Sequence, residues 1–266
     1  MLTYRDFTRA FEELGLGSHS LVIAHASIAA FGEVAGGADT VVGALFSTCG
    51  TVIMPAFTYR TMITPLIGPP DNAIDYGSTE EDNLTAEFFR LEMPADSAMG
   101  VVAETLRRHP MATRSSHPLL SFSGVHAEEA LQSQTLEEPL APIGWLAEYD
   151  GDVLLLGVGH TVNTSLHYAE KQAGRKQFLR WALTPQGVVA CPGWPGCPDG
   201  FQAIAPRLEG VIRRAPLGGS AVEVVPLRDL VHITVSWIHE DPRALLCERL
   251  GCERCASVRA SVRVER

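Results

Sequence analysis

The sequence predicts an α/β fold, and three observations carry the prediction. Short apolar runs of strand type recur along the chain, stretches with apolar residues at helical spacing separate them, and glycine-containing turns fall where the runs end. The chain has 266 residues, 46% hydrophobic and 20% charged, enough to bury a substantial core without disulfide staples. No Gly/Ser-rich, Pro-rich or single-sign charged stretch divides it into differently composed halves, so one domain spanning 1–266 is expected.

In chain order, Phe7, Ala10, Phe11 and Leu14 recur at helical spacing, with Gly15 and Gly17 as stop signals. SLVIAHAS reads as a strand ending in polar residues. TVVGALFSTCG has the spacing of a helix capped by Asp39 or Thr40, and TVIMPAF is a second strand after Gly50. Strand, loop, helix, strand within about forty residues is the rhythm of a β/α unit with a parallel strand pair. The stretch 60–96 has weak periodicity and several prolines, and it reads as an irregular excursion of the kind that shapes binding sites. MGVVAETLRRHP returns to helical spacing, and RSSHPLLSFSGVH reads as a loop and a short strand. GDVLLLGVG is a buried strand running into TVNTSLHYAEKQA, a helix with Asn163, Thr164 and Ser165 as candidate caps. FLRWALTPQGVVACPGW resembles a hairpin. A helix over Phe201 to Ile212, a strand around Ala221 to Val225, a helix after Leu227 and a cysteine-containing tail complete the chain.

The formal net charge of -10 argues against nucleic-acid and anionic-membrane partners and mildly favours a cationic small molecule. The first residues alternate charged and apolar side chains and lack the apolar core of a secretory signal, and no run reaches bilayer length. A soluble, cytoplasmic protein is expected, its six cysteines held as thiols.

The segment GVGHTVNTSLHYAE is the richest in chemistry. A strand leading through a small-residue turn to a helix puts polar side chains at the carboxyl end of a sheet, where open α/β folds bind ligands. His167 and Glu170 are three apart and share a helix face. A carboxylate neighbour can hold a histidine in one tautomer and keep it basic, although a solvated surface pair has the same spacing. In HASIAAFGEVAGGADT, His25 follows a strand, Ser27 could donate to a ligand, and Gly32, Gly36 and Gly37 permit close backbone approach. A packed histidine in a strand-to-helix connection is the plainer reading there. RSSHP offers Arg114, Ser115 and His117 together, a set suited to a phosphate. Cys252 and Cys255 have CxxC spacing with Cys247 nearby, half of a zinc knuckle, while Cys191 and Cys197 form a second loose group. GxGxxG, the P-loop signature, HExxH and GxSxG are all absent.

HASIAAFGEVAGGADTVVGALF, GTVIMPAFTY, SAMGVVAETLRRHP, RSSHP and NTSLHYAE, in that order, resemble the motifs of the aminoglycoside 3-N-acetyltransferase family, over nearly the whole chain. The resemblance implies a central mixed sheet flanked by helices, distinct from the common small N-acetyltransferase fold. It implies acetyl transfer from acetyl-coenzyme A to the 3-amino group of an aminoglycoside's deoxystreptamine ring, with a polycationic amine as partner substrate and no metal required. It maps the catalytic histidine onto His167, its acidic partner onto Glu170, which would also be in reach of a substrate ammonium, and a donor to the thioester carbonyl onto Thr164 or Ser165. His25, Ala26, Ser27, Ile28, Phe31 and Gly32 would flank the pantetheine arm, with Arg114, Ser115 and His117 on the cofactor side. Phe57, Tyr59, Asp71, Asp75 and Tyr76 would sit near the acceptor, around and within the excursion at about 60–96. A non-antibiotic amine as acceptor, or a non-catalytic ligand- or zinc-binding protein of the same fold, is the alternative reading.

Overall fold

The computed structural model describes residues 1–77 and 83–262. Glu80, Glu81 and Asp82, three of the acidic residues of the excursion, lie outside that range. Helix α1 (Tyr4–Glu13) opens the chain, and the Thr3 N–H donates to Asp6 Oδ2 at 2.7 Å as part of its N-terminal cap. Strand β1 (Leu21–Ala26), helix α2 (Gly37–Thr48) and strand β2 (Thr51–Pro55) form the β/α unit, with β1 and β2 parallel. α2 starts at Gly37, earlier than Asp39 or Thr40, because Gly36 takes a left-handed conformation (φ 78°) that only glycine adopts cheaply.

Strand β3 (Met62–Ile63) lies within the excursion, so that segment is less irregular than its composition suggests. Helix α3 (Gly100–Arg108), strands β4 (Thr113–Arg114) and β5 (Phe122–Val125), and helices α4 (Glu128–Gln132) and α5 (Ala141–Glu148) follow. Next come β6 (Asp152–Leu156), α6 (Ser165–Gln172), and the hairpin of β7 (Phe178–Thr184) and β8 (Gly187–Trp194). The helix expected over Phe201 to Ile212 is instead a 3-10 turn (Phe201–Ile204), a single turn α7 (Ala205–Leu208) and then β9 (Arg213–Leu217). Strand β10 (Ser220–Pro226), α8 (Leu227–Glu240) and α9 (Glu253–Ser261) close the described chain.

The main sheet has the order β4-β5-β2-β1-β6-β10-β9 and is mixed, with a parallel core of β2, β1 and β6 and antiparallel pairs on both sides. Alternate residues of its central strands face opposite layers. Ile23, Ile53, Val153 and Leu155 pack with Ile143, Leu166 and Leu230 from α5, α6 and α8. Val22, Ala24, Val52, Met54, Leu154 and Leu156 pack with Phe7, Leu45 and Val102 from α1, α2 and α3. Burial on both faces is why these strands read as continuous apolar runs. A second sheet, β3-β7-β8, joins the first layer through Phe178, Ala182 and Trp194. Among the described residues, no helix is long and apolar enough to cross a membrane.

Candidate active site

The carboxyl ends of β1, β2 and β6 open on a cavity of about 640 Å³. Its walls come from the residues after β1 (Ser27, Ile28), after β2 (Phe57, Tyr59), before and at the start of α6 (Asn163, Thr164, His167) and at and just past the end of β8 (Trp194 to Gly196), with Arg254 from α9. Such a position is where open α/β sheets bind ligands.

The turn that presents α6 is held locally. Asn163 Oδ1 accepts the Ser165 N–H at 3.1 Å, and the His160 N–H donates to Gln202 Oε1 at 2.9 Å. His167 therefore enters the cavity from the first turn of the helix, its ring packed on Phe201 with centroids 4.6 Å apart. Its Nδ1 lies 2.9 Å from Glu170 Oε2, leaving Nε2 as the ring nitrogen for a bound molecule. Arg175 Nη1 donates to the other oxygen, Glu170 Oε1, at 2.7 Å, and Arg175 Nη2 donates to the carbonyls of Pro242 and Ala244. Gly174, at φ 75°, turns the chain so that Arg175 can fold back on the helix. Glu170 is 1% exposed, each of its oxygens has one hydrogen-bond partner, and it lies behind His167 rather than on the cavity wall. A carboxylate on Nδ1 fixes the tautomer and supports the imidazolium that a general base becomes.

Burial separates the other histidines from this role. It pushes His25 down to about 3 and His117 down to about 4, so both are neutral and poor proton acceptors at physiological pH. His25 lines the cavity with Ala26, Ser27 and Ile28. Phe31 does not: it lies in the core, edge-on to Phe7 at 5.5 Å. Gly32, at φ 77°, turns the chain outside the cavity wall.

The side chains of RSSHP are engaged within the fold. Arg114 Nε donates to Ser121 Oγ, Nη1 to the Leu91 carbonyl at 3.0 Å, and Nη2 to the Ala56 carbonyl at 2.6 Å, while its guanidinium lies over the Phe89 ring. It clamps the end of the excursion to the sheet. Burial pushes it down to about 10, which still leaves it charged. Ser115 Oγ accepts the Phe122 N–H, and His117 Nδ1 accepts the N–H groups of Leu119 and Leu120. None of the three lines the cavity.

Phe57 and Tyr59 do line it, Tyr59 edge-on to Trp194 at 5.7 Å. Burial, then Asp96, pushes the Tyr59 hydroxyl up to about 12. Asp71, Asp75 and Tyr76 lie off the cavity wall. The Asp71 carbonyl accepts from Lys176 Nζ, and Tyr76 packs on Trp181 while its hydroxyl bonds Asn72 and Pro69, so this part of the excursion is stitched along β7. Sequence reasoning missed Arg175, Trp194 and Arg254. Arg175 had a legible signal, a cation directly after a glycine that follows a helix bearing Glu170.

Fold and site together define a cavity at the carboxyl edge of a mixed α/β sheet, walled in part by one histidine whose ring is oriented by a buried carboxylate. The profile of a family described as aminoglycoside 3-N-acetyltransferase matches residues 23–239, and the chain belongs to that family. It is 29% identical to aminoglycoside N(3)-acetyltransferase VII of Streptomyces paromomycinus, over 95% of this chain and 94% of that protein. It is 28% identical to aminoglycoside N(3)-acetyltransferase III of Enterobacter cloacae, over 90% and 92% of the two chains. The crystal structure of an aminoglycoside acetyltransferase apoenzyme superposes with a TM-score of 0.79 at 26% identity, covering 98% of each chain.

Proposed function

We propose that the protein transfers the acetyl group of acetyl-coenzyme A to an amine of an aminoglycoside, the 3-amino group of the deoxystreptamine ring, with His167 as general base. The observation that carries the reading is the His167–Glu170–Arg175 chain at the cavity wall, in a member of this family. Proteins sharing the fold have been crystallised with coenzyme A, a gentamicin and apramycin, which agrees with a small-molecule amine as acceptor.

A thioester is already activated, so the protein has three tasks: align the amine with the carbonyl, remove its proton, and stabilise the oxyanion. The amine nitrogen attacks the thioester carbon as His167 Nε2 takes its proton. The Glu170 carboxylate, held by Arg175, keeps Nδ1 protonated and supports the imidazolium. The tetrahedral adduct collapses, the carbon–sulfur bond breaks, and the proton passes to the coenzyme A thiolate, giving amide and free thiol. Thr164, the N-cap residue of α6 and a wall residue of the cavity, would donate to the carbonyl oxygen. His25, Ala26, Ser27 and Ile28 form the wall toward the pantetheine arm, while Phe57, Tyr59 and Trp194 bracket the acceptor. The chemistry asks for no metal.

One observation favours a second reading, a less cationic amine as acceptor. Among the described residues that line the cavity there is no carboxylate, whereas Arg254 is present. Thiol release measured over a panel of aminoglycosides and simple monoamines separates the two. Turnover with deoxystreptamine aminoglycosides supports the first reading, and turnover confined to monoamines replaces it with the second.

A further inference from the structure

Four of the six cysteines, Cys197, Cys247, Cys252 and Cys255, converge so that their Sγ atoms all lie within 4.8 Å of one another. We propose that this cluster binds a structural zinc ion that fastens the C-terminal segment to the wall of the active-site cavity.

The donor set and its spacing point to one tetrahedral ion. Zinc–sulfur bonds of about 2.3 Å place the four sulfurs of a tetrathiolate site about 3.8 Å apart, so the observed set closes by no more than about an ångström. The spacing is a knuckle completed from a distance: Cys252 caps α9 and Cys255 lies in its first turn, Cys247 precedes them, and Cys197 arrives from the loop after β8. All four are buried, at 7% exposure or less, and form a cluster separate from both layers of the main core. Four thiols gathered only as small apolar groups would have no reason to turn their sulfurs toward a common centre. Cys49 and Cys191, also buried, lie singly within those main layers.

The surroundings suit thiolates. A tetrathiolate site carries net charge 2−, and arginines stand close: Arg249 beside Cys252 and 3.2 Å from Asp199, and Arg259 donating to the Cys247 carbonyl. Loading is a ligand exchange in which four thiols and Zn²⁺ give the tetrathiolate complex and four protons, with no redox partner.

Its place in the fold gives the ion a role. Arg254, between two of the ligands, lines the cavity and donates from Nη1 to the Gly196 carbonyl at 2.8 Å. Gly196, next to Cys197, packs on Glu170, since a Cβ there would come within 3.5 Å of Oε2. One ion thus ties α9 and the post-β8 loop together behind the His167–Glu170 pair, without touching the reacting atoms. The zinc site is independent of which amine is acetylated.

The test is elemental analysis of the full-length protein grown with added zinc and purified without chelator, with mercurial-triggered release read by a zinc dye. One zinc per chain is expected, lost in Cys252→Ser and kept in Cys191→Ser. Co²⁺ exchanged into the wild type should give the thiolate charge-transfer and ligand-field bands of a tetrahedral cobalt tetrathiolate centre, and chelation should lower the melting temperature. Should Cys252→Ser not fold, the wild-type stoichiometry and cobalt spectrum decide alone. Wild-type protein with far less than one zinc per chain that also fails to take up Zn²⁺ or Co²⁺ would overturn the proposal. So would stoichiometric iron, or a mass two hydrogens short that reveals a disulfide within the cluster.

Discussion

Replacing Arg175 by methionine removes the guanidinium while keeping most of the side chain's volume. In the native protein Arg175 Nη1 lies 2.7 Å from Glu170 Oε1, and both side chains are only 2% exposed. Without it, a buried carboxylate keeps a single partner, His167, and the carbonyls of Pro242 and Ala244 lose their donors. Breaking one side of a buried ion pair costs about 3–5 kcal/mol, because the remaining charge is desolvated and uncompensated. At roughly 2–4 °C per kcal/mol for a chain of this size, the melting temperature should fall by about 6–20 °C. The double variant Glu170→Gln/Arg175→Met removes the orphaned charge, so it should be less destabilised than the sum of its parents by more than about 1 kcal/mol. Urea unfolding of the four proteins measures that coupling. Because Arg175 touches no substrate, folded Arg175→Met should lose less kcat than a His167 variant and keep its KM for acetyl-coenzyme A. A melting temperature within about 1 °C of the parent, with no coupling, would refute the buried-pair account.

The pH dependence of stability follows from His25 and His117, whose folded values of about 3 and about 4 lie below the ordinary 6.5. Their contribution is complete above about 6.5 and is lost as the pH falls toward the folded values, because the unfolded chain binds the extra protons. Each contributes about 1.4 kcal/mol per pH unit in that window, so the pair should cost about 4 kcal/mol by pH 5, and His117→Asn should flatten the acid limb of urea-midpoint against pH. Arg114→Ala should lower the melting temperature by several degrees yet leave coenzyme A affinity within about twofold, since its donors serve backbone carbonyls; calorimetry that shows a large affinity loss would return it to the cofactor site. Asp71→Asn should leave acceptor KM unchanged at low and high salt, whereas a salt-sensitive rise would place the excursion's carboxylates at the acceptor after all.

The strands and helices with strong periodicity were legible: β1, β2 and β6 as unbroken apolar runs, α1 from Phe7, Ala10 and Phe11, and the β7–β8 hairpin from its Pro-Gln-Gly turn. β3 escaped notice because two residues carry no period, and the break after Phe201 because Pro206 sits where a helix start tolerates it. Within the site, the His167–Glu170 pairing was readable because helical spacing alone brings i and i+3 together. Arg114 and Tyr76 were not, since chemical type says what a side chain can bind but not whether backbone carbonyls already occupy it, and Asp71 was not, since only the fold shows its segment lying off the cavity wall. Cys197 lies fifty residues before Cys247, and only the fold reveals that they meet.

The central claim is that His167 takes the proton from the attacking amine. In His167→Ala, coenzyme A binding by calorimetry should be nearly intact, while kcat falls by roughly 10²- to 10⁴-fold, the usual worth of a positioned general base. A folded His167→Ala protein that turns over at near the wild-type rate would contradict the account.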